Sequence, residues 1–94
     1  MFLIVELSAK DDAAAEKVGR RTEEYFETLL GSELLKFRIA RNQEHASRLV
    51  TLEEWTDAAA HEASFASTAF ADFQRNLAPL LVNKPRATRT KWSR

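Results

Sequence analysis

The first eight residues, MFLIVELS, are almost unbroken apolar or β-branched side chains that give way to polar ones, a run suited to a strand buried on both faces. From Asp11 or Asp12, either of which can cap a helix, the period changes. Ala14, Val18, Tyr25 and Leu29 recur at helical spacing with Phe26 and Leu30 beside them, and Lys17, Arg20, Arg21, Glu23, Glu24 and Glu27 fill the opposite side. Gly31 stands where such a helix needs a left-handed residue to stop. Ser32 to Arg41 then alternates, Leu35, Phe37 and Ile39 against Leu34, Lys36, Arg38 and Ala40, which predicts a second strand. Asn42 to Ser47 reads as a hairpin connection. Arg48 to Trp55 alternates again, with Leu49, Thr51, Glu53 and Trp55 set against Val50, Leu52 and Glu54, so strands two and three should pair antiparallel.

Thr56 or Asp57 caps a predicted second helix whose stripe runs through Phe65, Ala66, Ala69, Phe70, Phe73, Leu77 and Leu80, with Pro79 ending or kinking it near Leu77. After the turn at Asn83 to Pro85, Ala87 to Trp92 alternates as a polar fourth strand suited to a sheet edge. Strand, helix, strand, strand, helix, strand is the order of a single α+β domain over residues 1–94. It predicts a ferredoxin-like split β-α-β fold, four antiparallel strands with two helices on one face. Two helices cover one face only, yet strands one and two carry large apolar side chains on both. The uncovered face would expose a hydrophobic patch in a lone chain, and a symmetric homodimer packed sheet against sheet removes it.

Composition narrows the chemistry. Lys+Arg and Asp+Glu both number 14, a formal net charge of zero, so no field gathers phosphate backbones and nucleic acid is not the expected partner. The chain has no cysteine, which removes thiolate nucleophiles and cysteine-held metal clusters, and its two glycines cannot make a phosphate-cradling loop. Its two histidines lack metal-ligand spacing, so no metal site is expected. The opening apolar run has no basic segment before it and ends at Glu6, too short for a membrane span; a cytoplasmic protein without a membrane partner is the expectation.

RLVTLEEWTDAAAHEASFASTAFADF, residues 48 to 73, resembles the antibiotic biosynthesis monooxygenase family of dimeric α/β barrels, in which an apolar strand ends in Glu-x-Trp before an acidic turn and a helix leading to Phe. Glu53, Trp55, Asp57, Ser67 and Phe70 carry the likeness. The resemblance implies a dimeric α/β barrel whose cleft between sheet and helices accepts a flat, apolar small molecule. It also implies cofactor-independent oxygenation of quinols or polycyclic phenols, which can donate an electron to oxygen themselves. Other branches isomerise small metabolites or degrade haem. The helix histidines of many relatives match Ser64 and Ala69 here, and the haem-degrading residues match Glu6 or Leu7, Ser64 and Gln74, so neither set is present.

Trp55 is either a core ring or a flat wall of the cleft. His61 lies roughly 120° from the centre of the second helix's stripe, at its margin, where a partly buried imidazole can act as general base toward a phenol or enol. These two are the candidate catalytic residues. Glu62 falls near the stripe's centre in the first helical turn and either overhangs solvent or enters the cleft as an acid/base partner. Tyr25 and Arg38 can bind a phenolate or carboxylate, and Phe65 and Phe70 line a cleft if one exists. His45 sits in the hairpin, solvated. The leading reading is thus a cofactor-independent monooxygenase acting on a small aromatic molecule; a non-catalytic ligand-binding or stress-associated barrel, or an isomerase, is the alternative. A cavity of roughly 300 Å³ or more favours the first and side chains filling that space the second.

Overall fold

The computed structural model describes residues 1–90 and contains a four-stranded antiparallel sheet in the order β2-β3-β1-β4 with helices on one face. The strands are β1 (Phe2–Ser8), β2 (Leu34–Arg41), β3 (Arg48–Trp55) and β4 (Arg86–Thr90). The helices are α1 (Asp12–Leu29), α2 (Ala58–Ser64) and α3 (Thr68–Leu77), the last followed by a 3-10 turn at Ala78–Leu80 that contains Pro79. This is the predicted ferredoxin-like fold. Residues 91–94, with the Lys91 and Trp92 assigned to the fourth strand, lie outside the described residues.

Asp11 rather than Asp12 caps α1, its Oδ1 accepting the Ala14 N–H at 2.7 Å. The buried stripe of α1 runs Ala14, Ala15, Val18, Thr22 and Phe26. The helix stops where Gly31 takes φ +92°, a left-handed conformation that only glycine adopts without strain. Two strand and helix details differ from the sequence pattern. In β2 the register shifts between Leu34 and Lys36, so Leu34 turns inward with Phe37 and Ile39 and is fully buried, while Leu35 is exposed. Such a bulge inserts one residue into the alternation and reverses the side on which earlier residues fall. The open face of β2 is therefore Lys36, Arg38 and Ala40, and the apolar side chains of that face come from β1 and β3: Phe2, Ile4, Val50 and Leu52.

The second difference is the predicted second helix, which is two helices. Ser64 Oγ donates to the His61 carbonyl at 2.6 Å, Ser67 Oγ to the Ser64 carbonyl at 2.9 Å, and Ser67 Oγ accepts the Phe70 N–H at 3.0 Å as the cap of α3. Hydroxyls that bond to nearby backbone compete with helix continuation, and here they end α2 and restart the chain as α3. The core has two parts. Leu7, Ala9, Ala15, Val18, Leu49, Leu77 and Leu81 form one, and Phe26, Leu34 and Trp55 the other, with Tyr25 and Phe37 packed against it.

Candidate active site

A cleft of about 880 Å³ lies between the strands and the helices, with residues of α1, α2 and α3 in its lining. The pairing Leu3↔Glu53↔Phe37 and Val5↔Thr51↔Ile39 places Thr51, Glu53 and Trp55 of β3 on its floor, i, i+2 and i+4 along one strand face. Phe65, Phe70 and Phe73 form the opposite wall, and Tyr25 enters from α1, stacked on Phe73 with ring centroids 4.3 Å apart and planes 12° from parallel. The wall is aromatic, and its polar groups are few.

Glu53 is the most constrained of these. It is 6 % exposed; Thr51 Oγ1 donates to its Oε2 at 2.7 Å and the Trp55 indole N–H donates to its Oε1 at 2.9 Å. Burial pushes its carboxyl above the usual range, and the two hydrogen bonds oppose the shift without cancelling it. Trp55 is thus held by its polar edge, while its ring meets His61 edge-on at 5.0 Å and His61 meets Phe65 edge-on at 4.6 Å. His61 is buried, not marginal: it is the residue that α2 buries. Burial pushes its imidazole down, the Arg89 cation pushes the same way, and Glu62 opposes them, so the neutral form is favoured; its buried Nδ1 has no hydrogen-bond partner among the described residues. The Tyr25 hydroxyl is likewise buried without a well-formed hydrogen bond; burial raises its pKa, the Ser67 side chain lowers it, and the Glu53 charge raises it.

Of the residues singled out from sequence, Trp55, His61, Tyr25, Phe65 and Phe70 all line this cleft. Two do not. Arg38 lies across from Leu52 on the open face of the sheet, the wrong side for the cleft. Glu62 points outward and pairs with Arg89 of β4 at 2.9 Å, because the phase of the α3 stripe does not carry through the break into α2. Sequence reasoning took Glu53 as part of the Glu-x-Trp likeness and gave it no role in the site. The signal was present, since the alternation of β3 puts this carboxylate on the same face as Leu49 and Trp55, where a charge has no business without a partner. No group of three histidine or acidic side chains stands together for a metal among the described residues, and no helix among them is long and apolar enough to cross a membrane.

A family profile described as antibiotic biosynthesis monooxygenase matches residues 1–76, from β1 almost to the end of α3. The chain belongs to the antibiotic biosynthesis monooxygenase family. No curated protein matches it by sequence. Among solved structures, an antibiotic biosynthesis monooxygenase superposes with a TM-score of 0.82 at 18% identity, covering 99% of this chain and 98% of its own. A conserved protein from Methanosarcina mazei Go1 follows with 0.77 at 18% identity, covering 96% and 91%. SnoaB, a cofactor-independent oxygenase from Streptomyces nogalater, gives 0.76 at 17% identity over 98% and 93%. At these identities the likeness establishes the fold. Ser64 lines the cleft and its hydroxyl donates back to the His61 carbonyl, while Ala69 is exposed.

Proposed function

We propose that this protein is a cofactor-independent monooxygenase that holds a small, flat phenolic or quinol-like molecule in the cleft and lets that molecule reduce dioxygen. The observation that carries the reading is the roomy aromatic cleft, far above the volume that separates a binding chamber from a filled core, with His61 and Tyr25 among its lining side chains. Trp55, Phe65 and Phe70 supply flat apolar walls. Tyr25 and His61 supply hydrogen-bond partners for ring oxygens, and excluding water strengthens those bonds. Loss of the hydroxyl proton makes the ring electron-rich enough to give an electron to O₂. Recombination forms a carbon–oxygen bond, and loss of water leaves a quinone. Phenol plus O₂ gives quinone plus water: one C–H, one O–H and the O–O bond break, and all four electrons come from the substrate.

Oxygen uptake with a panel of hydroquinones and polycyclic phenols tests this. His61→Ala and Trp55→Phe should each slow turnover about tenfold or more; unchanged rates in both would remove these residues from the site, and ligand binding without oxygen uptake would return the chain to the class of non-catalytic binders. The reading extends to a homodimer through the open sheet face, supported by Ile4, Val50 and the 43 % exposed Leu52 standing together there with no helix among the described residues to cover them.

A further inference from the structure

The cleft has one acidic side chain on its lining, and the reading above leaves it idle. Glu53 is buried, and both of its oxygens accept from neutral donors, Thr51 and Trp55. No cation pairs with it among the described residues, where the ion pairs are Arg75 with Asp72 and Arg89 with Glu62. A carboxylate offers about four lone-pair positions, so two remain free. The cross-strand neighbours of Glu53, Leu3 and Phe37, are apolar and can use neither. The titratable groups that share its cleft are Tyr25 from α1, His61 from α2, Arg75 from α3 and Lys84 from the segment before β4. Of these the Tyr25 phenol feels the Glu53 charge. A buried carboxylate with spare acceptor positions at the bottom of an aromatic cleft is built to receive a proton.

We propose that Glu53 is the general base of this cleft, taking the proton of a substrate hydroxyl, and that Thr51 and Trp55 are the positioning residues that hold its two oxygens in place. The inference deepens the oxygenase reading and rests on it for the identity of the reaction. The substrate O–H bond breaks, its electron pair stays on the substrate oxygen, and the proton goes to a Glu53 oxygen. The same proton returns to the peroxide oxygen; the ring C–H bond then breaks, its electron pair forms the quinone C=O as the O–O bond breaks, and its proton joins the departing hydroxide as water, so Glu53 ends as it began. The surroundings of His61 disfavour its protonated form while those of Glu53 favour its own, and Glu53 stands on the floor of the cleft with both oxygens fixed by donors. The His61 Nδ1 and the Tyr25 hydroxyl are left to hold the substrate's oxygens in register. The ligand class follows: a planar aromatic molecule with a hydroxyl facing β3 and a second oxygen function facing α1 or α2.

Glu53→Gln keeps the shape and an acceptor for Trp55, and the Thr51 hydroxyl can turn to accept from the amide, so the variant folds. Its kcat should fall about a hundredfold or more with little change in KM, and Glu53→Asp should recover part of the loss. In the wild type, kcat should rise with pH along a limb set by the carboxyl; Thr51→Val removes a donor to the charged form and should move that limb to higher pH. A purely structural Glu53 would lower the melting temperature and leave the limb in place. A second measurement needs no turnover: titration of bound 4-nitrophenol by its phenolate absorbance. A carboxylate facing the phenol disfavours its ionisation, so the bound probe should ionise about one pH unit or more higher in the wild type than in Glu53→Gln. Equal ionisation in the two proteins, no binding of the probe, or wild-type kcat in Glu53→Gln overturns the assignment. If no phenol in the panel is turned over but the titration separates the two proteins, the oxygenase reading fails and the placement of Glu53 against a phenol stands.

Discussion

The two faces of this sheet solve opposite problems with the same alternation. On the covered face, Thr51 and the Trp55 indole both donate to Glu53, so a carboxylate and its two donors close on one another away from solvent. On the open face the rows are Phe2↔Glu54↔Lys36, Ile4↔Leu52↔Arg38 and Glu6↔Val50↔Ala40, with Arg86 opposite Glu6. There, Glu54 stands opposite Lys36 and Glu6 opposite Arg86, which brackets an apolar centre with complementary charge. A polar group on the first face is locked by its neighbours and answers to what enters the cleft; on the second it sits at the rim and answers to what covers the patch.

The largest effect should come from the locked face. Trp55→Ala removes a ring that is 3 % exposed together with one of the donors to Glu53, and should cost about 3–5 kcal/mol in urea denaturation. Leu52→Ala on the open face should cost less than about 1 kcal/mol in the dissociated chain. Similar losses at the two positions would erase the distinction. Next, Leu52→Lys puts a charge into the centre of the open patch; sedimentation at micromolar concentration should pass from a two-chain to a one-chain species with an unchanged circular dichroism spectrum. A wild type that sediments as one chain would instead leave that face without a partner.

The smallest effect is in the pH dependence of stability, and its two signs separate two residues of the same cleft. The Glu53 carboxyl is raised on folding, so its contribution is fully present below the ordinary glutamate pKa and is lost as pH rises through the folded value. Glu53→Gln should therefore gain on the wild type as the pH is raised. The His61 imidazole is lowered, so its contribution is present above the ordinary histidine pKa and is lost as pH falls through the folded value. His61→Gln should gain on the wild type in acid. Thermal melts of the three proteins from pH 4 to pH 9 check both directions.

Much of this was legible in the residues. The element order, the bounds of β3 at Arg48 and Trp55, and the stop at Gly31 follow from period and turn chemistry, because nothing tertiary overrides them. The extra residue at Leu35 was not, since alternation on either side of a bulge looks continuous until the partner strand fixes the register. Nor was the joint between α2 and α3, which contains neither proline nor glycine and is made by serine hydroxyls. That omission misplaced two side chains at once. With the stripe phased from Phe73 and Leu80, His61 fell at the margin and Glu62 at the centre, whereas the structure buries His61 and leaves Glu62 exposed. Of the five cleft residues found from sequence, Trp55, Tyr25, Phe65 and Phe70 have positions that follow from local period or the family likeness, while His61 was chosen for its imidazole and lies deeper than the period placed it. Arg38 was chosen for its charge, which does not say which side of a sheet a residue occupies, and Glu62 for a stripe phase that the break between α2 and α3 does not carry; of its two readings, the outward one holds.

The joint at Ser64 to Ser67 has a consequence for how such a chamber diversifies. Because helical phase does not carry across the joint, a residue added or lost there need not impose the turn of about 100° that it imposes inside a continuous helix, so the directions of Phe70 and Phe73 are set by the joint while β3 stays where it is. Lid and floor are thus separately adjustable parts: the contour of the chamber can drift with the length of a four-residue hinge while the carboxylate beneath it remains in place.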